Sequence, residues 1–405
     1  MLYGGLTTLS KYDSKYHQKI EEYKMRIESY NYAIIQVGDV PIDVATEIFT
    51  RINVGGKRLS LFEIMVAKTY DYEKNFDLSE KFNSLIENID NVNYETLSDQ
   101  IILQIISLLL RKECKAKVIL SLEKEKFINI WDETIDAVER TIDYFRTYYR
   151  IPVSNLLPYN ALVVPFAYFF YHHKDKPVGD QQKYLEDFFW RVSLSGRYSS
   201  ATESKLAQDV KRVDKILKNE LPEYDWGIDV STDFIKYNGW FSAGRSYIKA
   251  ILCIYAYQQP KSFIDNSHVN MSNDWLKQAN SKNYHHFFPR AYLKKLNVDE
   301  DKINHILNIT IVDDFLNKRK IKHSAPSKYM TEFKNVNPKL SETMKTHLID
   351  DLNGFGVWSD NYQNFLDKRA EALSKEIEKR IIRQDIDKQP QPDLEEDYSE
   401  EIEME

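Results

Sequence analysis

The chain has 405 residues and a formal net charge of −7, from 55 lysines and arginines against 62 acidic residues; at about 100–200 residues per domain this length implies two to four domains. Hydrophobic residues at 42% and aromatics at 13% are enough for real cores and exclude bulk disorder, and two cysteines, Cys114 and Cys253, exclude a disulfide framework or a cysteine-based zinc site. No apolar run suits a bilayer span and no charged leader precedes an apolar core, so a soluble cytoplasmic protein is expected, with no membrane partner.

In chain order, residues 32–37 are rich in strand formers and residues 44–49 have helical character. Ser60-Leu-Phe-Glu63 is a capping-box pattern that should open a helix through Ile64 and Ala67. From residue 73 to residue 258 nearly every segment has helical spacing. Leu206, Val210, Val213 and Leu217 form one stripe behind a second box pattern, Ser200-Ala-Thr-Glu203, while Lys205, Lys211, Arg212, Lys215 and Lys218 read as a solvated surface. The adjacent aromatics Tyr168, Phe169, Phe170 and Tyr171 read as core. His172-His173, followed by Lys-Asp-Lys, reads as a helix C-terminus. Residues 259–282 are polar and turn-rich and mark a boundary. Residues 361–383 predict a long amphipathic helix with Phe365, Arg369, Leu373 and Ile377 spaced by four. The fold class expected is α+β, mostly α, with a helical domain over 73–260 and a C-terminal domain over 261–384. Residues 385–405 hold ten acidic residues and one lysine and predict a disordered acidic tail, so the rest of the chain carries +2.

The segment with the strongest chemistry is Tyr284-His285-His286-Phe287-Phe288-Pro289-Arg290, followed by Asn308-Ile-Thr-Ile-Val312, Asn317-Lys318-Arg319-Lys320 and Ala325-Pro326-Ser327. A histidine pair at the end of a short strand, an asparagine opening a second strand and a basic helix with another asparagine suit metal-assisted phosphodiester hydrolysis. One imidazole holds a divalent cation and the other takes a proton from the attacking water. Residues 282–339 contain twelve basic and six acidic residues, a local excess that suits a nucleic-acid backbone.

These residues resemble the HNH (ββα-metal) nuclease motif. The resemblance implies that His286 is the general base, that Asn308 braces the catalytic loop, and that His285 and Asn317 are metal ligands, with His323 a rival for the second ligand. It places Arg290, Lys318, Arg319, Lys320 and Lys322 near the phosphate backbone. Mg²⁺ or Mn²⁺ is the expected cofactor, and a mixed His/Asn site also accommodates Zn²⁺ or Ni²⁺. Phe49-x-Arg51-Ile52-Asn53-x-x-Gly56-x-x-Leu59-Ser60 resembles the closing motif of the ParB/sulfiredoxin-like domain of GmrSD-type restriction proteins. In that family a nucleotide-handling domain precedes a helical region and an HNH nuclease. The family's Asp-Gly-Gln-Gln-Arg motif is absent, so residues 1–72 read as the distal part of that domain. Arg51 and Asn53 remain ligand-contact candidates, and two origins of the missing half stand side by side: a second polypeptide that supplies it, or a chain that is a fragment of a longer protein. The resemblance implies a metal-dependent HNH endonuclease that cleaves DNA in antiphage or restriction defence. The alternative is a non-catalytic regulatory subunit that binds nucleic acid or a partner.

Overall fold

The computed structural model describes residues 14–30, 44, 59–271, 284–312, 321, 323–389, 391 and 394. The chain divides into two compact units, Met1–Arg58 and Leu59–Glu405. In the first, α1 (His17–Glu28) follows a 3-10 turn at Ser14–Tyr16, and none of its residues is buried. The strand expected at 32–37, all but Val44 of the helix expected at 44–49, and the candidates Arg51 and Asn53 lie outside the described residues.

In the second unit four α-helix starts among the described residues carry a side-chain cap, two of them in its first two helices. Glu63 donates its amide to the Ser60 hydroxyl at 3.1 Å, and its carboxylate accepts the Ser60 amide at 2.6 Å. This capping box opens α2 (Leu61–Thr69) by giving partners to otherwise orphaned amides. Asp77 caps α3 (Leu78–Asp90) through bonds from the Ser79 and Glu80 amides. In α4 (Asp99–Arg111) every residue from Ile101 to Leu108 is buried. Each isoleucine and leucine in that run contributes about 1.5–3 kcal/mol by leaving water. The short α5 (Ala116–Leu120) and α6 (Lys124–Asn129) lead into α7 (Trp131–Thr147). α8 (Val163–His172) is buried from Val163 to Phe170 and packs against α4, α7 and α10 (Thr202–Leu217). His172 ends α8 and His173 caps it, where the helix dipole favours such groups. α9 (Gly179–Leu194) adds Phe189, whose ring stacks on Tyr149 at 4.2 Å between centroids. α11 (Thr232–Asn238) and α12 (Ser246–Tyr257) complete the helical region.

Two details of α10 depart from the sequence expectation. Its N-cap is Ala201, in the left-handed region at φ +49°, and no side chain caps it, so the Ser200–Glu203 box does not form. Arg212 is also no solvated residue. It pairs with buried Asp209 at 2.8 Å and with Asp225 at 2.5 Å, and its guanidinium lies over the Trp226 ring. Asp209 in turn accepts Arg197 Nε and the Tyr198 hydroxyl, both at 2.8 Å.

The C-terminal part holds the one sheet found among the described residues. β1 (Tyr284–His286) runs antiparallel to β2 (Ile309–Ile311). Between them lie α13 (Arg290–Lys295) and α14 (Glu300–Ile303). After them come α15 (Pro326–Val336), α16 (Leu340–Lys345) and α17 (Tyr362–Glu378). The fold is mostly helical with this small sheet. No helix among the described residues is long and apolar enough to cross a membrane.

The start of the acidic tail belongs to the packed structure. Asp385–Lys388 forms a 3-10 turn. Asp387 pairs with Arg191 Nη2 at 2.7 Å and Nη1 at 2.8 Å, and Gln391 accepts the Asp229 amide at 2.6 Å. A Cβ on Gly227 would stand 2.6 Å from the Ile386 carbonyl, so only glycine lets this segment approach.

Candidate active site

The site is built on the hairpin. His285 pairs with Thr310 across the strands and His286 with Ile309. Neighbouring positions on a strand face opposite sides, and the two imidazoles follow that rule. His285 is 2% exposed, with the Tyr329 and Phe263 rings at 6.3 and 6.4 Å. His286 is partly exposed and turns to Asn304.

Each ring is held as a defined neutral tautomer by its partner. The Thr310 hydroxyl donates to the His285 carbonyl at 3.3 Å, so at 3.2 Å it accepts from His285 Nδ1–H. His285 Nε2 then carries a lone pair. It is buried and has no hydrogen-bond partner. A buried, partnerless ring nitrogen whose opposite nitrogen is oriented by a hydroxyl has the electronic state of a metal-ligating histidine. Among the described residues no three His, Cys, Asp or Glu side chains gather into a metal cluster. The expected second ligand Asn317 lies outside the described residues, as do Lys318, Arg319, Lys320 and Lys322; His323 is exposed.

His286 is arranged the other way round. Asn304 donates its Nδ2 to the Phe241 carbonyl at 3.0 Å, which turns its Oδ1 toward His286 Nε2 at 3.1 Å. His286 therefore donates from Nε2 and keeps its lone pair on Nδ1. Burial pushes the His286 pKa down to about 4, against the opposing pull of the Asn304 bond. His285 is pushed down to about 3 by burial, with the charges of His286 and His347 adding to it. Both are neutral at physiological pH.

Asn308 is fully buried and clamps the loop after β1. Its Oδ1 accepts the Phe288 amide at 2.8 Å, and its Nδ2 donates to the Phe288 and Ile303 carbonyls at 3.0 and 3.1 Å. The Phe287 amide bonds the Asn308 carbonyl at 2.7 Å, and the Tyr329 hydroxyl donates to the Phe287 carbonyl at 2.5 Å. Phe287 stacks on Phe365 of α17 at 4.8 Å, which seats the hairpin on that helix. Arg290 is about half exposed and paired with Glu300, which also bonds Lys294 at 3.1 Å. A phosphate reaching Arg290 must compete with that carboxylate.

Asn304 was not singled out in the sequence. It lies in the segment between α14 and β2, and no motif marks it. That segment is stitched to residues 239–241: the Phe241 amide bonds the Asn304 carbonyl at 3.0 Å and the Ile306 amide bonds the Gly239 carbonyl at 2.7 Å. A Cβ on Gly239 would lie 2.1 Å from the His305 ring, so the glycine makes room for it. We expect Asn304→Asp to move the NMR titration midpoint of His286 upward, because a carboxylate on Nε2 favours the imidazolium. An unmoved midpoint would separate Asn304 from His286.

His305 and His347 add a pH dependence. His305 Nδ1 accepts the Leu307 amide at 3.1 Å while Nε2 bonds the Lys236 carbonyl at 3.0 Å, an arrangement that imidazolium cannot keep. Burial lowers the pKa of His305, and it takes that of His347 down to about 4. An unfolded histidine binds its proton near pH 6.5, before these do. The stabilisation is therefore complete above pH 6.5 and is lost as pH falls towards 4. The metal-free protein should lose on the order of a few kcal/mol between pH 7 and 4.5 from these groups. Urea midpoints that stay flat over that window would contradict this.

No protein-family model matches the chain. It is similar to an uncharacterized protein of Methanocaldococcus jannaschii, with 24% identity over 89% of this chain and 66% of that protein's length. The chain thus spans just under two thirds of that relative, whose description names no activity.

Proposed function

We propose that this chain is a metal-dependent endonuclease of the HNH type that cleaves DNA phosphodiester bonds, as the effector of an antiphage or restriction system. The observation that supports it most is a pair of adjacent neutral imidazoles with their lone pairs on opposite nitrogens. His286 offers Nδ1 as a base, and His285 offers Nε2 as a ligand. His286 Nδ1 accepts the proton of a water aimed at the phosphorus. The resulting imidazolium is steadied by Asn304 Oδ1 and by the negative charge of Glu300, while Arg290 opposes it. Asn308 holds the Phe287–Phe288 backbone in place, and with it the end of the strand that carries His286. His285 would hold the cation, Mg²⁺ or Mn²⁺ for preference, with Asn317 as its partner; the metal when bound polarises the phosphate and offsets charge on the leaving oxygen.

Supercoiled plasmid with divalent metal is the direct test. Nicking or linearisation that chelation stops and Mg²⁺ or Mn²⁺ restores is expected. Intact plasmid across these metals, modified and unmodified DNA alike, would favour the non-catalytic subunit.

A further inference from the structure

One carboxylate beside the hairpin bridges two cations. Glu300 opens α14; its Oε1 pairs with Arg290 Nη2 and its Oε2 with Lys294 Nζ at 3.1 Å. Arg290 and Lys294 lie one turn apart on α13 and so share a face. Glu300 and Asn304 are likewise one turn apart. The Asn304 amide bonds the Glu300 carbonyl at 2.8 Å, and the Asn304 side chain bonds His286. The bridge therefore flanks His286. Its three side chains are 42–57% exposed, so a ligand can reach them. Its bonds to Lys294 and Arg290 hold the Glu300 carboxyl below its ordinary value, so it is ionised at neutral pH. The local fold does not depend on the bridge. Leu293 and Ile303 are fully buried, the Val298 amide bonds the Leu293 carbonyl at 3.2 Å, and Asn308 holds the Ile303 carbonyl. Exposed ion pairs add little to stability. Of the three adjacent acids Asp299, Glu300 and Asp301, Glu300 alone makes an ion pair among the described residues.

We propose that Arg290 and Lys294 form a seat for a DNA backbone phosphate beside His286, and that Glu300 occupies this seat until DNA displaces it. The inference rests on the nucleic-acid part of the reading above. A phosphodiester offers what the carboxylate offers, one negative charge shared by two oxygens, so it takes over both bonds. Glu300 thereby weakens the hold of the seat on any single anion. A DNA chain, which makes further contacts, still displaces it.

Fluorescence anisotropy of a labelled DNA duplex with the full chain, in EDTA at low salt, reads binding without cutting. Glu300→Gln is expected to bind the duplex about fivefold more tightly than the parent, the amount that one displaced surface ion pair accounts for. Its salt dependence should be steeper by about one ion, because a displaced carboxylate takes a cation back. Its melting temperature should stay near the parent's. Two controls separate the seat from general charge. Asp301→Asn removes the same charge one residue away, and Glu123→Gln opens the same kind of bridge, between Arg111 and Lys126, in the helical region. Neither should tighten binding. In a chain carrying both Arg290→Gln and Lys294→Gln, adding Glu300→Gln should have no effect. No tightening by Glu300→Gln, equal tightening by either control, or tightening that persists without the two cations would overturn the proposal, as would an absence of duplex binding by parent and variant alike. If the binding results hold and plasmid stays intact, the nuclease reading falls and the seat stands. If the parent cuts plasmid and Glu300→Gln binds no more tightly, the seat falls and the nuclease reading stands.

Discussion

Under the proposed nuclease function, His286→Ala is expected to lower the rate of DNA cleavage by about 10²–10⁴-fold, the range a positioned general base contributes, with the melting temperature close to the parent's. Among the described residues the ring's one side-chain hydrogen bond is to Asn304, and it stands at the end of a short strand outside the helical core. The clamp at Asn308 and the stack of Phe287 on Phe365 do not depend on it. The measurement is a pair: single-turnover cleavage of plasmid, and a thermal melt of the same preparation. A variant that cuts at the parental rate would remove His286 from the base role. One that is slow because it has unfolded would show it in the melt. With a pKa near 4, the parent should have its acidic limb well below neutrality and stay on its plateau at pH 7.

The second large effect is on stability. Arg191→Leu is expected to cost about 3–5 kcal/mol, because it leaves a buried carboxylate without its counter-ion. Asp187 is fully buried and receives Arg191 Nε at 3.0 and 3.1 Å. Burial pushes its carboxyl up to about 6 even with Arg191 opposing. Arg191 also binds Asp387 through two nitrogens and the Ile382 carbonyl at 2.6 Å, and Asp187 accepts the Ile382 amide at 2.8 Å. Burial works against the charged form of Asp387, but its bonds to Arg191 and to backbone amides hold its carboxyl low. The network therefore locks the chain after α17 onto α9. Adding Asp187→Asn and Asp387→Asn to Arg191→Leu should restore much of the loss, since no buried charge then stands alone. A urea midpoint for Arg191→Leu equal to the parent's would show that the pair contributes nothing. A truncation meant to remove only the acidic tail must begin after Leu394, because residues up to Gln391 make these contacts and Leu394 reaches Gly196.

Features that depend on neighbours along the chain can be read from the residues alone. The Ser60–Glu63 box, the buried run of α4, the end of α8 at the histidine pair and the four-residue stripe of α17 all follow from residues within a turn or two. The order of His285, His286 and Asn308 was also legible, because a motif is a local object. Features that depend on distant partners emerge only in the folded chain. Arg369 stands in the α17 stripe because its guanidinium is taken in by the Tyr255 and Phe365 rings and donates to the Ile309 carbonyl at 3.2 Å. The Ser200–Glu203 pattern stayed open because the chain turns through Ala201 instead. Asp387 finds Arg191 across 196 positions of chain, and Asn304 finds both His286 and Phe241. Such contacts form only when the burial of many side chains offsets the entropy of closing long loops, and no short pattern records them. Hence His286 was readable from the sequence, while Asn304, the residue that sets its tautomer, was not.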